Sequence, residues 1–128
     1  MAFSVVLPGA LTWTTRPHEP SEPARHVAEI SELAAFEHTR GNIWRYEPGA
    51  HGRRHVHAEQ EETFLVIAGT LSMHLGEPPD RHDVPVGGLV HVRAGTPVQA
   101  ANHGNTDLVV NAYGAPPDHG AEILDSAV

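Results

Sequence analysis

The sequence contains no cysteine and no lysine, and both absences narrow the chemistry that is open to the chain. Without cysteine there is no disulfide bond, no thiolate nucleophile and no zinc site with cysteine ligands. Without lysine there is no Schiff-base catalysis, no lysine general base and no phosphate-loop lysine. The nucleophile motif Gly-x-Ser-x-Gly is also missing. Any catalysis therefore depends on histidine, aspartate, glutamate and water, or on a metal ion held by these residues.

Long apolar segments are missing as well. No stretch of the sequence approaches the roughly 20 apolar residues that are needed to span a bilayer. The first residues, MAFSVVLPGALTW, lack the basic region with which a signal peptide begins. We therefore expect a cytoplasmic protein without a membrane partner.

The charge of the chain is negative, with a formal value of −8 at pH 7. The eight basic residues are all arginines and are scattered along the sequence, whereas nucleic-acid-binding proteins normally show a basic patch. We therefore expect no nucleic-acid partner. Histidine is abundant, and protonation of all eleven imidazoles would move the charge from −8 to +3. The surface charge should thus depend strongly on pH near the histidine pKa.

Turn-forming residues punctuate the sequence, with 12 glycines and 11 prolines in 128 residues. Their spread predicts many short strands joined by turns, in a sandwich or a barrel. The predicted strands are 25–30, 42–47, 55–57, 62–68, 70–75, 89–93, 98–102 and 108–113. The segment 31–37 is the one predicted helix, with Ser31 as its N-cap.

The length is sufficient for one domain with one core. We expect a single domain over 1–128, consisting of an N-terminal arm (1–24), a barrel core (41–113) and a peripheral tail (114–128). The apolar pieces VVL and LTW predict that the arm packs as edge strands on its own barrel or on a partner.

One segment carries a constellation of metal-binding side chains. His55 and His57 lie two residues apart, so on a strand both imidazoles point to the same face. The next four residues are enough for a hairpin loop, after which Glu62 could lie across from the histidines. Two imidazoles and one carboxylate suit a divalent transition metal. The alternative is a solvated surface His-x-His, and Glu61 is a lesser candidate than Glu62.

The spacing around these residues resembles the first motif of the cupin superfamily, G-x5-H-x-H-x4-E-x6-G. The matching residues are Gly49, His55, His57, Glu62 and Gly69. Every fixed position of that motif is present, so the resemblance is specific.

The second cupin motif, G-x5-P-x-G-x2-H-x3-N, is matched only in part. Gly87, Gly95 and Asn102 are in register, whereas Arg93 stands where proline is usual and Val98 where a ligating histidine is usual. The resemblance covers about residues 41–113. It implies an all-β fold, a small antiparallel β-barrel of the double-stranded β-helix or jelly-roll type, commonly dimeric and with a metal in its mouth.

The resemblance implies three metal ligands here, namely His55, His57 and Glu62, because Val98 cannot ligate. Two histidines and one carboxylate are also the facial triad of non-haem iron enzymes, which leaves coordination positions open. Iron, manganese, nickel and zinc all remain candidates for the metal.

The expected pocket lies around these ligands. Phe64 and Val66 share strand parity with Glu62, and Val98 and Asn102 belong to the second motif, so these four residues are predicted to line it. Trp44 and Tyr46 share a strand face and are expected to be core or dimer contacts.

Three functions remain open at this point, and catalytic residues are not assigned. The first is a metal-dependent enzyme, dioxygenase- or isomerase-like, in which the metal is a Lewis acid or binds O₂. The second is a non-catalytic small-molecule-binding or sensor protein, since a barrel of this kind hosts many functions. The third is a degenerate structural barrel without metal. The expected partners are a small-molecule ligand and a second copy of the chain in a homodimer.

Overall fold

The computed structural model describes residues 2–118 and 120–128. The strands are β1 (Trp13–Thr15), β2 (Arg25–Glu29), β3 (Arg40–Tyr46), β4 (His55–Val56), β5 (Glu61–Ala68), β6 (Thr70–Leu75), β7 (Asp80–Pro85), β8 (Leu89–Val92), β9 (Val98–Ala101), β10 (Leu108–Ala115) and β11 (Glu122–Ile123). A single 3-10 turn, Pro8–Ala10, precedes them. Across these residues, no helix has the length and apolarity that a membrane crossing requires.

The strands form two antiparallel sheets. One sheet has six strands in the order β1-β2-β3-β10-β5-β8, and the other has five in the order β11-β4-β9-β6-β7. Most neighbours in each sheet are distant in sequence, as in β3 with β10 and β6 with β9, whereas β1-β2-β3 and β6-β7 are consecutive. No α-helix occurs among the described residues. The predicted all-β fold, an antiparallel double-stranded β-helix, is confirmed.

The core lies between the inner faces of the two sheets. On β5, Phe64 and Val66 are buried, whereas Leu65 and Ile67 are exposed, so alternate residues face inward. Leu71 and Met73 of β6 are fully buried, each 0% exposed. This alternation of apolar residues is what fixes the face that each strand presents to the core.

Both glycines that end the first motif have a backbone role. Gly49 and Gly69 adopt positive φ angles of 88° and 74°, which side-chain-bearing residues rarely adopt. At Gly69 a Cβ would also lie 2.5 Å from the carbonyl oxygen of Asp107. Gly69 is the corner between β5 and β6, so it lets the chain pass from the six-stranded to the five-stranded sheet.

The predicted helix over 31–37 is wrong, because this segment forms turns. Ser31 does not cap a helix. Its hydroxyl accepts a hydrogen bond from the Gly41 N–H at 2.8 Å and donates to the Gly41 carbonyl at 3.2 Å, which ties the two ends of the loop together. Two helical turns do not offset the free-energy cost of helix nucleation unless they pack strongly. Leu33 in this segment is 47% exposed, so such packing is missing there.

The pattern did not predict strand β7. It pairs with β6 from Thr70 opposite Pro85 to Leu75 opposite Asp80, at the edge of its sheet. Its side chains are mostly exposed and polar. An edge strand with little buried surface has no apolar alternation to reveal it.

Both ends of the chain join the sheets. In the arm, Trp13 of the LTW piece begins β1, which pairs with β2 at the edge of the six-stranded sheet, whereas Val5 and Leu7 of the VVL piece lie outside any strand and are exposed. In the tail, interpreted as peripheral, β11 pairs with β4. The tail therefore lies beside the strand that carries His55.

Candidate metal centre

His55, His57 and Glu62 converge at one point of the structure. His55 begins β4, His57 follows that strand, and Glu62 lies in β5. Glu62 Oε1 is 3.4 Å from His55 Nε2 and 3.3 Å from His57 Nε2. One ligand atom from each residue lies within 4.8 Å of the others. The three side chains are thus close enough to share one ion.

The route by which they converge differs from the predicted hairpin. β4 pairs with β9 and β11, whereas β5 pairs with β10 and β8. The expectation that Glu62 lies across from the histidines on a paired strand is therefore wrong. The loop between β4 and β5 instead crosses from one sheet to the other, and the ligands meet in the space between the sheets.

Each imidazole has an oxygen acceptor beside its Nδ1 atom. His55 Nδ1 lies 3.0 Å from the carbonyl oxygen of Arg53. His57 Nδ1 is buried without an aligned hydrogen bond, and Asp118 Oδ2 lies 3.4 Å from it. An acceptor at Nδ1 favours the tautomer that leaves Nε2 free to ligate, which is the usual support for a metal-bound histidine. The donor set therefore fits a divalent transition metal.

The charges of the site are set by its neighbours. Burial lowers the pKa of His55, but the hydrogen bonds to Glu62 and to the Arg53 carbonyl outweigh it, so the pKa lies above the ordinary histidine value. The backbone N–H of Gly120 donates to Asp118 and lowers the pKa of its carboxyl. Asp118 is thus ionised at neutral pH and can accept a hydrogen bond from a protonated His57 Nδ1.

A cavity of about 390 Å³ opens beside the three ligands. Phe64 and Val98 border it, but Val66 and Asn102 do not. Val66 is 2% exposed and packs in the core. Asn102 is 1% exposed, and its amide donates to the carbonyls of Tyr46 and Thr106. The pocket-lining prediction is corrected for these two residues.

Other residues of the site were not predicted. Asp118 comes from the tail, 56 positions after Glu62, and no motif spacing pointed to it. Trp44 and Tyr46, expected in the core or a dimer contact, both border the cavity, although Tyr46 also belongs to the core and Trp44 packs against it. Their inward parity on β3 was the available signal.

By its fold and its site, the protein is a small antiparallel double-stranded β-helix with a His-His-Glu cluster between its sheets. A family model described as a cupin domain matches residues 42–112, which is more than half of the chain. The chain belongs to the cupin family. No curated protein matches the sequence with significance.

Solved structures of low sequence identity share the fold. A protein described as a sugar phosphate isomerase of the cupin superfamily, from Silicibacter pomeroyi, has 24% identity and a TM-score of 0.66 over 73% of this chain; the match spans 60% of that protein's length. A predicted oxalate decarboxylase from Thermotoga maritima has 18% identity and a TM-score of 0.76 over 89% of this chain and 100% of its own. The polyketide cyclase RemF from Streptomyces resistomycificus has 13% identity and a TM-score of 0.77, over 97% and 87%.

Proposed function

We propose that this chain is a metal-dependent cupin enzyme, isomerase- or dioxygenase-like, that acts on a small organic substrate. The observation that carries the proposal is the convergence of His55 Nε2, His57 Nε2 and a Glu62 oxygen beside a cavity. A divalent metal held there would supply a Lewis acid. The solved structures that share this fold include proteins described as an isomerase and as a predicted decarboxylase, which supports small-molecule chemistry in this fold.

The protein's own residues would position the ligands and the substrate. Asp118 and the Arg53 carbonyl lie beside the Nδ1 atoms of the two imidazoles and would orient them toward the metal. Phe64 and Val98 form an apolar wall beside Glu62, which limits the access of water and strengthens electrostatic interactions.

The register of the strands supports the interpretation that Val98 occupies the position where a fourth ligand, a histidine, is usual. Val98 lies directly opposite His55 in the pairing of β4 with β9. It is 1% exposed and borders the cavity. A three-ligand site of this kind leaves more coordination positions open to a substrate than a four-ligand site does.

Metal analysis tests the proposal. Gently purified protein, and protein reconstituted with Fe(II), Mn(II), Ni(II) or Zn(II), should bind one of these metals at one ion per chain. His55→Ala and His57→Ala should abolish stoichiometric binding, whereas His82→Ala should not, because His82 lies on the exposed strand β7. Absence of stoichiometric binding by the wild-type protein would contradict the proposal and leave the ligand-binding and structural-barrel hypotheses.

A non-catalytic ligand-binding function is the second candidate. Apart from the three proposed ligands, the titratable side chains among the described residues of the cavity are those of Tyr46, Tyr113 and four arginines. Burial raises the pKa of Tyr46. The described residues that line the cavity therefore include no carboxylate or imidazole base that is independent of the metal site. Tight binding of a small molecule without turnover by the metal-loaded protein would favour this candidate.

We also propose a homodimer that uses the outer face of the six-stranded sheet. Leu65 and Leu89 are paired across β5 and β8 and are 39% and 59% exposed, and Ile67 next to them is 45% exposed. Contiguous exposed apolar groups of this kind are typical of interfaces. Light scattering coupled to size exclusion should show a dimer, and Leu65→Glu should dissociate it. The cytoplasmic location stays a prediction.

A further inference from the structure

Four arginines border the cavity beside the candidate metal centre. Arg16 follows β1, Arg25 begins β2, Arg40 begins β3, and Arg53 precedes β4. Glu62 is the single carboxylate among the described lining residues. With neutral imidazoles the cavity therefore has an excess of three positive charges, although the chain as a whole has a net charge of −8.

These four arginines differ from most others in the chain because they have no ion-pair partner. Within the described residues, no carboxylate oxygen lies within 4.0 Å of any of them. The remaining arginines, apart from the exposed Arg93, do have acidic partners. Those pairs are Arg45 with Asp107, Arg54 with Glu77, and Arg81 with Asp83. The unneutralised guanidinium groups are thus concentrated where a ligand would bind.

The two half-buried arginines are held in place by other contacts. The Arg25 guanidinium lies 5.2 Å from the ring centroid of Trp44 and 5.9 Å from that of Tyr46, within the range of cation–π attraction. Arg40 Nη1 donates to the Asp118 carbonyl at 2.9 Å. A guanidinium has five N–H donors, so most of its donors remain available to a ligand. Partly desolvated, positioned cations without a counterion favour a bound anion.

We infer that the cavity binds a small organic anion, through a carboxylate or phosphate group held by Arg25 and Arg40. Arg16 and Arg53, which are exposed, lie at the rim and attract the anion. The carbon part of the ligand packs on Phe64 and Val98. A cavity of about 390 Å³ is at the small end of ligand pockets. The inference deepens the proposed function by naming its substrate class, and it rests on that function for the ligand to be a substrate.

Calorimetric titration with paired probes tests the inference. Malonate and glycerophosphate carry the two anionic groups, and malonamide and glycerol are their uncharged counterparts. Chelator-treated and metal-loaded protein should both bind at least one of the two anions, about tenfold or more tightly than its neutral counterpart. The malonate and glycerophosphate arms distinguish a carboxylate from a phosphate ligand. Added salt should weaken binding because the rim charges are exposed.

Substitutions locate the binding. Arg40→Gln and Arg53→Gln should each weaken binding of the anion by several-fold to tenfold. Arg93→Gln is the matched control, because Arg93 is an exposed arginine outside the cavity and without an ion pair. Arg25→Gln should weaken binding as well, and circular dichroism establishes whether it folds without its aromatic contacts. If it does not fold, the other two variants decide.

Two results would overturn the inference. One is that neither anion binds more tightly than its neutral counterpart. The other is that Arg93→Gln weakens binding as much as Arg40→Gln and Arg53→Gln do. Failure of the proposed function would give a different result from failure of this inference. Anion binding by a protein that holds no metal counts against the metal-dependent enzyme alone. Metal binding without any preference for anions counts against this inference alone.

Discussion

Asp118→Asn is the substitution that most directly tests how the histidines are held. Asp118 Oδ2 lies 3.4 Å from the buried Nδ1 of His57, and Oδ1 accepts a hydrogen bond from the Gly120 N–H at 2.8 Å. Asparagine keeps the shape of the side chain and the Oδ1 acceptor. It replaces the oxygen near His57 with an amide N–H₂ group, which donates and cannot accept. The Nδ1–H tautomer that leaves Nε2 free to ligate then loses its support.

The expected magnitude follows from the role of the carboxylate. Loss of a carboxylate that supports a metal-bound histidine typically weakens metal affinity by about 10–100-fold. His57 is 7% exposed, so water replaces the lost acceptor poorly, and the upper part of this range is expected. Competition with a chromophoric chelator measures the affinity of the wild-type and variant proteins for the same metal.

A matched variant in the same tail controls for general effects on this segment. Asp125→Asn makes the same chemical change at a residue whose backbone carbonyl, at 3.5 Å, accepts from Arg54 and whose side chain is exposed. It should leave metal affinity unchanged. An Asp118→Asn variant that binds metal as tightly as the wild type, with the fold intact by circular dichroism, would refute the role of the tail in orienting His57.

Three further predictions concern the fourth ligand, pH and the core. Val98→His should tighten metal binding in the chelator competition, because position 98 lies opposite His55; unaltered affinity would show that its side chain does not reach the metal. Metal affinity should fall on acidification because protons compete with the metal for the histidine ligands. The pKa of His55 is raised in the metal-free protein, so the fall should begin above the ordinary histidine pKa of about 6.5. In that metal-free state the raised pKa contributes stability that is fully present below the unfolded-state pKa and is lost as the pH rises through the folded-state value. Thermal melts from about pH 5 to about pH 8 should therefore show metal stabilising the protein more at high pH; a pH-independent effect of metal would contradict this. Met73→Ala should lower the free energy of unfolding in urea by about 2–5 kcal/mol, since Met73 is fully buried, whereas Ile67→Ala on the exposed face should cost much less.

The strands that face the core can be predicted from the sequence. β5 and β10 alternate apolar residues toward the interior, and glycines and prolines end most strands, so the pattern and the boundaries are local properties of the chain. β7 and the 31–37 segment were not readable, because neither buries an apolar stripe. In these two segments hydrogen bonds to distant residues, such as Ser31 with Gly41, decide the conformation.

The three candidate ligands were also readable, because their spacing lies within one short segment. From the strand pattern and the resemblance to the first cupin motif, the sequence predicts the double-stranded β-helix and groups His55, His57 and Glu62. The packing of the two sheets adds that the group bridges them, that Asp118 lies beside His57, and that arginines without ion-pair partners border the cavity. The reason is physical: motif spacing reports neighbours along the chain, whereas charge and hydrogen-bond partners from the arm and the tail meet only when the sheets pack together.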